Sequence, residues 1–290
     1  MYVNVNGARL YFDVAGPETR ALAGQAVKVP TLLILHGGPG FDHMGVKAEL
    51  LPLAEHYQLV WIDHRGNGRS SGNDPTEWTL SQWAADVKGF CDAVGIEKPV
   101  VLGQSFGGHV AQAYAARYPE HPSKVIFSSI CAKWDRALAI QRFGERGGEK
   151  VRAVAERMWA RMWPEDWAEY LETCYPFYTA GADPNYVRPP VITKEEVLRH
   201  YLRPGGEFQS LDLRPELANI RCPALVLAGT LDPVIPWELS RQLADAITGA
   251  PVSYVQMDHC GHGVWRDAPE QARAVIRRFI DEAPSIQTLV

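Results

Sequence analysis

The chain has 290 residues and a formal net charge of −5, with 46% hydrophobic and 22% charged side chains. That is ample for one large domain, or a domain with an insertion, around a well-buried core. The acidic balance gives no electrostatic basis for nucleic-acid binding, and no apolar run reaches the length of a membrane span.

Apolar and polar residues alternate over 2–5 and 10–14 around Asn6-Gly7, which predicts a hairpin. Residues 16–29 are small and polar and read as a surface loop. A buried strand at 31–35 runs into His36-Gly37-Gly38-Pro39-Gly40, and a helix is expected over 44–55. A strand at 58–62 leads into the tight loop Asp63 to Ser70, in which Arg65 is expected to pair with a nearby acid. Leu80, Trp83, Ala84, Val87, Phe90, Cys91 and Val94 recur at helical spacing and predict a helix over 80–94. The short apolar run at 99–102 reads as a strand, and the Ala-rich stretch before Pro119 as a helix. A further strand is expected at 125–127.

The alternation then stops. Residues 133–213 are helix-like, rich in tryptophan and charge, and broken by prolines. It resumes with strands at 223–229 and 252–257 and helices at 236–248 and 268–282. Strands alternating with helices predict an α/β fold, a mostly parallel, doubly wound sheet covered on both faces. The chain therefore divides into a core, 1–132 and 214–290, and an inserted helical cap, 133–213. The five cysteines are scattered, without Cys-x-x-Cys spacing, and the N-terminus lacks a basic, apolar leader. Both features predict reduced packing thiols in a cytoplasmic protein.

Between the strand ending near residue 102 and the Ala-rich helix lies Gly103-Gln104-Ser105-Phe106-Gly107-Gly108. Gly-x-Ser-x-Gly at a strand-to-helix turn is the setting of a nucleophile elbow. The glycines are needed because a Cβ at either flank would strike the neighbouring strand or helix. A serine needs a base, and the base an orienting acid, each on a loop at the C-terminal edge of the sheet. Asp232 follows the strand at 223–229 and is the acid within reach of its end. Two histidines follow the next strand, and His262 is chosen over His259 as the base because it precedes the last helix. His259 is read as a structural partner. An oxyanion hole needs two N–H donors, assigned to Phe106 and to Gly38, with Gly37 as the alternative. His259, Cys260 and His262 share a loop, but no other ligand cluster accompanies them, so no metal and no cofactor is expected.

These stretches resemble the α/β-hydrolase superfamily over 31–130 and 222–282. The His36-to-Gly40 loop, Asp63-x-Arg65-Gly66-x-Gly68-x-Ser70, the Ser105 elbow and Gly261-His262 are most similar to the proline iminopeptidase branch and related esterases and lactonases. The resemblance implies a serine hydrolase that cleaves a small amide or ester through an acyl-enzyme, with an N-terminal-proline aminopeptidase first and a carboxylesterase or lactonase as the alternative. Carbon–carbon bond hydrolysis, perhydrolysis and a non-enzymatic receptor stand further back. Phe106 and His64 depart from the peptidase pattern of Trp and Gln at those places. The partner implied is a small molecule or short peptide, without nucleic acid or membrane.

In the cap, Trp159, Trp163 and Trp167 lie at i, i+4 and i+8, a stripe that either roofs an acyl pocket or packs the cap onto the core. Glu165, Asp166, Glu169 and Glu172 read either as a binding site for a substrate amine or as solvated helix charge. Arg142, Arg146, Lys150, Arg152, Arg157 and Arg161 alternate with glutamates and predict an exposed, ion-paired face.

Overall fold

The computed structural model describes residues 1–22, 24–162, 164–181 and 190–282. Its strands are β1 (Tyr2–Val5), β2 (Ala8–Ala15), β3 (Thr19–Leu22), β4 (Gln25–Lys28), β5 (Thr31–Leu35), β6 (Gln58–Ile62), β7 (Val100–Gln104), β8 (Lys124–Ser128), β9 (Ala224–Gly229) and β10 (Val252–Met257). Among the described residues, eight of them form one sheet in the order β1-β2-β6-β5-β7-β8-β9-β10. From β6 to β10 every pairing is parallel, while β1 and β2 add an antiparallel edge. The expected loop at 16–29 instead contains β3 and β4, paired antiparallel to each other. Their side chains are largely exposed, so no buried alternation marks them in the sequence.

Successive side chains of a strand face opposite sides of the sheet, and the core divides accordingly. Leu33 and Leu35 of β5 and Val226 of β9 join one apolar cluster, and Leu32, Ile34, Leu225 and Leu227 join the other. The first is covered by α2 (Leu80–Val94) and α3 (Phe106–Arg117), the second by α1 (Met44–Leu50) and α10 (Pro269–Asp281). On α10, Ala272, Ile276 and Ile280 recur every four residues, which lays one buried stripe along the sheet. Helix α2 starts where the Thr79 hydroxyl accepts from the Gln82 N–H at 3.2 Å, and ends at Gly95 with φ 73°. Arg65 is buried and pairs through Nε and Nη2 with Asp86, at 2.7 and 2.9 Å, and through Nη1 with Glu77.

Between β8 and β9 the chain runs as α4 (Arg136–Arg161), α5 (Pro164–Thr173), α6 (Glu195–Leu202), α7 (Glu207–Ser210) and α8 (Arg214–Leu217); α9 (Trp237–Ala246) follows β9. Helix α4 bends at Gly148, whose φ of 78° is outside the helical range. Backbone contacts tie this insertion to the sheet's C-terminal edge. The His262 N–H donates to the Tyr178 carbonyl at 2.6 Å, and the Lys194 N–H to that of Gly40 at 2.7 Å.

Candidate active site

Ser105 stands between β7 and α3 with φ 51° and ψ −125°. A non-glycine residue held there costs on the order of 1–3 kcal/mol, so the surroundings must impose it. They do. A Cβ on Gly103 would lie 2.4 Å from the Gly107 carbonyl oxygen, and one on Gly107 would lie 2.2 Å from that of Leu35. Only glycines let strand and helix approach this closely, and the approach pushes the serine out at the tip.

Asp232 and His262 lie on the loops after β9 and β10 and meet in space. The His262 Nδ1 is 2.8 Å from Asp232 Oδ2, and both side chains are buried. Asp232 Oδ1 accepts from the Val234 and Ile235 N–H groups at 2.8 and 2.9 Å, so backbone amides hold the carboxylate against the ring. With Nδ1 donating to a carboxylate, Nε2 is left as the basic nitrogen. The Tyr178 ring packs edge-on against His262 at 5.2 Å. His259 faces solvent; its backbone N–H, not its imidazole, makes the structural bond, to the Thr230 hydroxyl at 3.0 Å.

Ser105 and His262 share a cavity of about 130 Å³ with Gly38, Phe106, Trp159 and Trp167. The Gly38 and Phe106 amides have no hydrogen-bond partner among the described residues. Phe106 opens α3, where helix N–H groups are free by construction. Gly37 also lines the cavity. The glycine loop is braced by His36, whose Nδ1 donates to the Gly37 carbonyl at 3.0 Å while Nε2 accepts from the His64 N–H at 3.3 Å. Those two bonds require a neutral ring, and burial pushes the His36 pKa down. Asp63 pairs with His43 and Arg69, and its carboxyl is held at about 2 despite burial, which opposes the shift.

The acidic candidates of the insertion do not reach this cavity. Glu165 is exposed. Glu169 is exposed and pairs with Arg157, and buried Asp166 is taken by Arg157 and Arg161. The tryptophan stripe is also divided, because α4 ends before Met162, at φ 54°, and α5 begins at Pro164. Trp159 and Trp167 thus reach the cavity from two helices, while Trp163 lies outside the described residues. Arg146 departs from the exposed charged face expected of it. It is half-buried and donates to the carbonyls of Phe177, Leu231, Thr179 and Ala180. Arg266 and Gln104 line the cavity too, and the sequence reading did not single them out. Their positions were the available signal, Arg266 four residues after the histidine and Gln104 one before the serine.

Residues 30–267 match the family described as alpha/beta hydrolase fold, and the chain belongs to that family. It is a hydrolase of that fold. It is 37% identical to the proline iminopeptidase PfmaB of Pestalotiopsis fici, an alignment covering 97% of this chain and 99% of the relative. Among solved structures, the enol-lactonase from Burkholderia xenovorans LB400 matches at 25% identity with a TM-score of 0.61, over 97% of this chain and 98% of that one. The proline iminopeptidase of Mycobacterium smegmatis matches at 21% identity and a TM-score of 0.71, over 97% of each chain. A peptidase and a lactonase thus share the fold, and substrate identity rests on the cavity.

Proposed function

We propose that the chain is a serine hydrolase that cleaves small esters or lactones in a largely apolar cavity, through an acyl-enzyme. Ser105 Oγ attacks the carbonyl carbon and His262 Nε2 takes its proton. Asp232 holds the ring in the productive tautomer and stabilises the imidazolium. The Phe106 and Gly38 amides receive the developing oxyanion, aided by the N-terminal end of α3. His262 then returns the proton to the leaving oxygen. A water, deprotonated by the same Nε2, attacks the acyl carbon; the bond to Ser105 Oγ breaks, Oγ takes the proton back and the carboxylic acid leaves. The helical insertion, 133–213, acts as the cap that roofs the cavity. The buried, unbridged cysteines support a cytoplasmic setting.

The observation that carries the ester reading is the cavity wall. Trp159, Trp167, Leu198, Phe208, Val234 and Ile235 line it, and Asp42 is the one carboxylate among its described residues. Asp42 is committed to Arg69 at 3.3 Å and to the N–H groups of Met44 and Ile192. A buried cationic amine needs a free carboxylate, and none stands there among the described residues. The aminopeptidase reading is favoured instead by the 37% identity to a proline iminopeptidase. Short acyl esters and lactones tested beside prolyl arylamide and its N-acetyl form separate the two. Rapid ester turnover with inert arylamide supports the ester reading. Cleavage of the prolyl arylamide, lost on acetylation, overturns it. A fluorophosphonate should label Ser105, and Ser105→Ala should lower kcat by roughly 10³-fold or more with the fold intact.

A further inference from the structure

The apolar wall of the cavity is interrupted at one place. Arg266 lines it, and its Nε is buried with no hydrogen-bond partner among the described residues. Arg69, on the loop after β6, differs: it pairs with Asp42 and Asp63. Gln104 also lines the cavity and is 3% exposed, yet its carboxamide makes no hydrogen bond among the described residues. The two side chains converge over Gly263. A Cβ built there would lie 3.6 Å from Arg266 Nε and 3.7 Å from Gln104 Nε2.

The local fold explains the convergence. Val264–Arg266 is a single 3-10 turn directly after His262 and Gly263. Trp265 in that turn is fully buried in the cluster beneath the sheet, which leaves Arg266 on the cavity side. Gln104 is the last residue of β7, one before Ser105. Both polar groups therefore flank the reacting centre. A buried guanidinium N–H without an acceptor is unfavourable, and a turn of the side chain that presents it to an entering anion removes that penalty.

We infer that Arg266 and Gln104 form an anion subsite beside Ser105, and that the substrate carries a carboxylate as well as its scissile ester or lactone. This rests on the hydrolase reading above. A carboxylate matches the planar donor fork of arginine, and the carboxamide supplies one further donor. A phosphate would bring a second charge into an apolar cavity at greater desolvation cost. An N-terminal amine would meet a like charge.

The test uses the intact chain and two ester pairs. Mono-para-nitrophenyl glutarate beside para-nitrophenyl butyrate puts the charge on the acyl side. Meta-acetoxybenzoate beside phenyl acetate puts it on the leaving group. At least one anionic ester should exceed its neutral partner in kcat/KM by about tenfold or more. That ratio should fall at least about tenfold in Arg266→Gln and less in Arg266→Lys, which keeps the charge. Binding of glutaramate, a monoanion, by calorimetry at fixed ionic strength should be lost in Arg266→Gln. If neutral esters turn over and neither anionic ester is preferred, the subsite is refuted and the hydrolase reading stands. If no ester turns over, the ester reading fails and the binding experiment decides. Glutaramate bound through Arg266 then supports the subsite, and absent binding refutes it.

Discussion

Lowering the pH should destabilise this fold through its buried histidines, and His109 lets the effect be calculated. It is 2% exposed on α3, with Nδ1 3.3 Å from the Tyr201 hydroxyl and the Phe208 ring 5.7 Å away. Burial pushes its pKa down from 6.5 to about 3. Above the unfolded value the ring is neutral in both states and contributes nothing to the pH dependence. Below it the unfolded chain takes a proton that the folded chain refuses, so stability falls as pH falls. Between about pH 7.5 and pH 5 the loss is RT ln(1 + 10^1.5) less a few hundredths, or about 2 kcal/mol. Any folded value below about 4 gives the same figure, because the unfolded pKa sets it. Urea titrations of the wild type and His109→Phe at both pH values isolate the contribution. The packing cost of the substitution cancels in the double difference. The wild type should lose about 2 kcal/mol more than the variant on acidification. Equal losses would refute the assignment of a neutral, buried His109. His36 and His64 are pushed down by the same burial, so the variant itself should still lose stability in acid.

Three further outcomes are expected. His262→Ala should cost nearly as much kcat as loss of Ser105, while exposed His259→Ala should cost less than about tenfold; steady-state kinetics on one ester checks both, and a reversal would move the base to His259. Asp86→Ala leaves the buried Arg65 guanidinium with Glu77 as its one carboxylate, beside the Asn6 carbonyl, and should destabilise by about 3–5 kcal/mol in denaturant titration. Arg146→Met keeps the aliphatic stem and removes the bonds to four carbonyls; fluorophosphonate labelling of Ser105 should slow and the melting temperature should drop.

The elbow is legible in the sequence because its requirement is local and steric. Gly103, Ser105 and Gly107 are fixed within five positions, and any other residue at the flanks collides with backbone. Asp232 and His262 are legible for a topological reason, since both follow parallel strands and so arrive at the same edge. The charged insertion is less transparent. Glu169 and Arg146 look alike as members of a charged helical run, yet one pairs on the surface and the other reaches inward to carbonyls. Periodicity assigns residues to a face but does not say what that face meets. The β3–β4 hairpin escapes for the opposite reason, because its pairing is backbone-driven and its exposed side chains carry no pattern. Arg266 escapes because an Nε without an acceptor among the described residues is recognised only in space.

The insertion is bound into the catalytic edge more closely than a roof needs to be. The Tyr178 carbonyl takes the His262 N–H, and Ala180 donates to Asp267, whose other oxygen accepts from Gly261 just ahead of that histidine. On the far side Lys194 donates to Gly40, and Ile192 to Asp42. One inserted segment thus grips the loop that carries the base and the loop that carries the glycine amides. On the insertion's side both grips use main-chain groups, so side-chain substitution along it, Arg146 apart, can reshape the cavity while the loops keep their partners. A shift of the segment's backbone has the opposite consequence. It would move His262 and the glycine loop together, and a displacement of about an ångström at such a site is enough to cost roughly 10²-fold in rate. Arg146 apart, substrate choice and catalytic geometry are therefore separable in this fold at the level of side chains and inseparable at the level of the main chain.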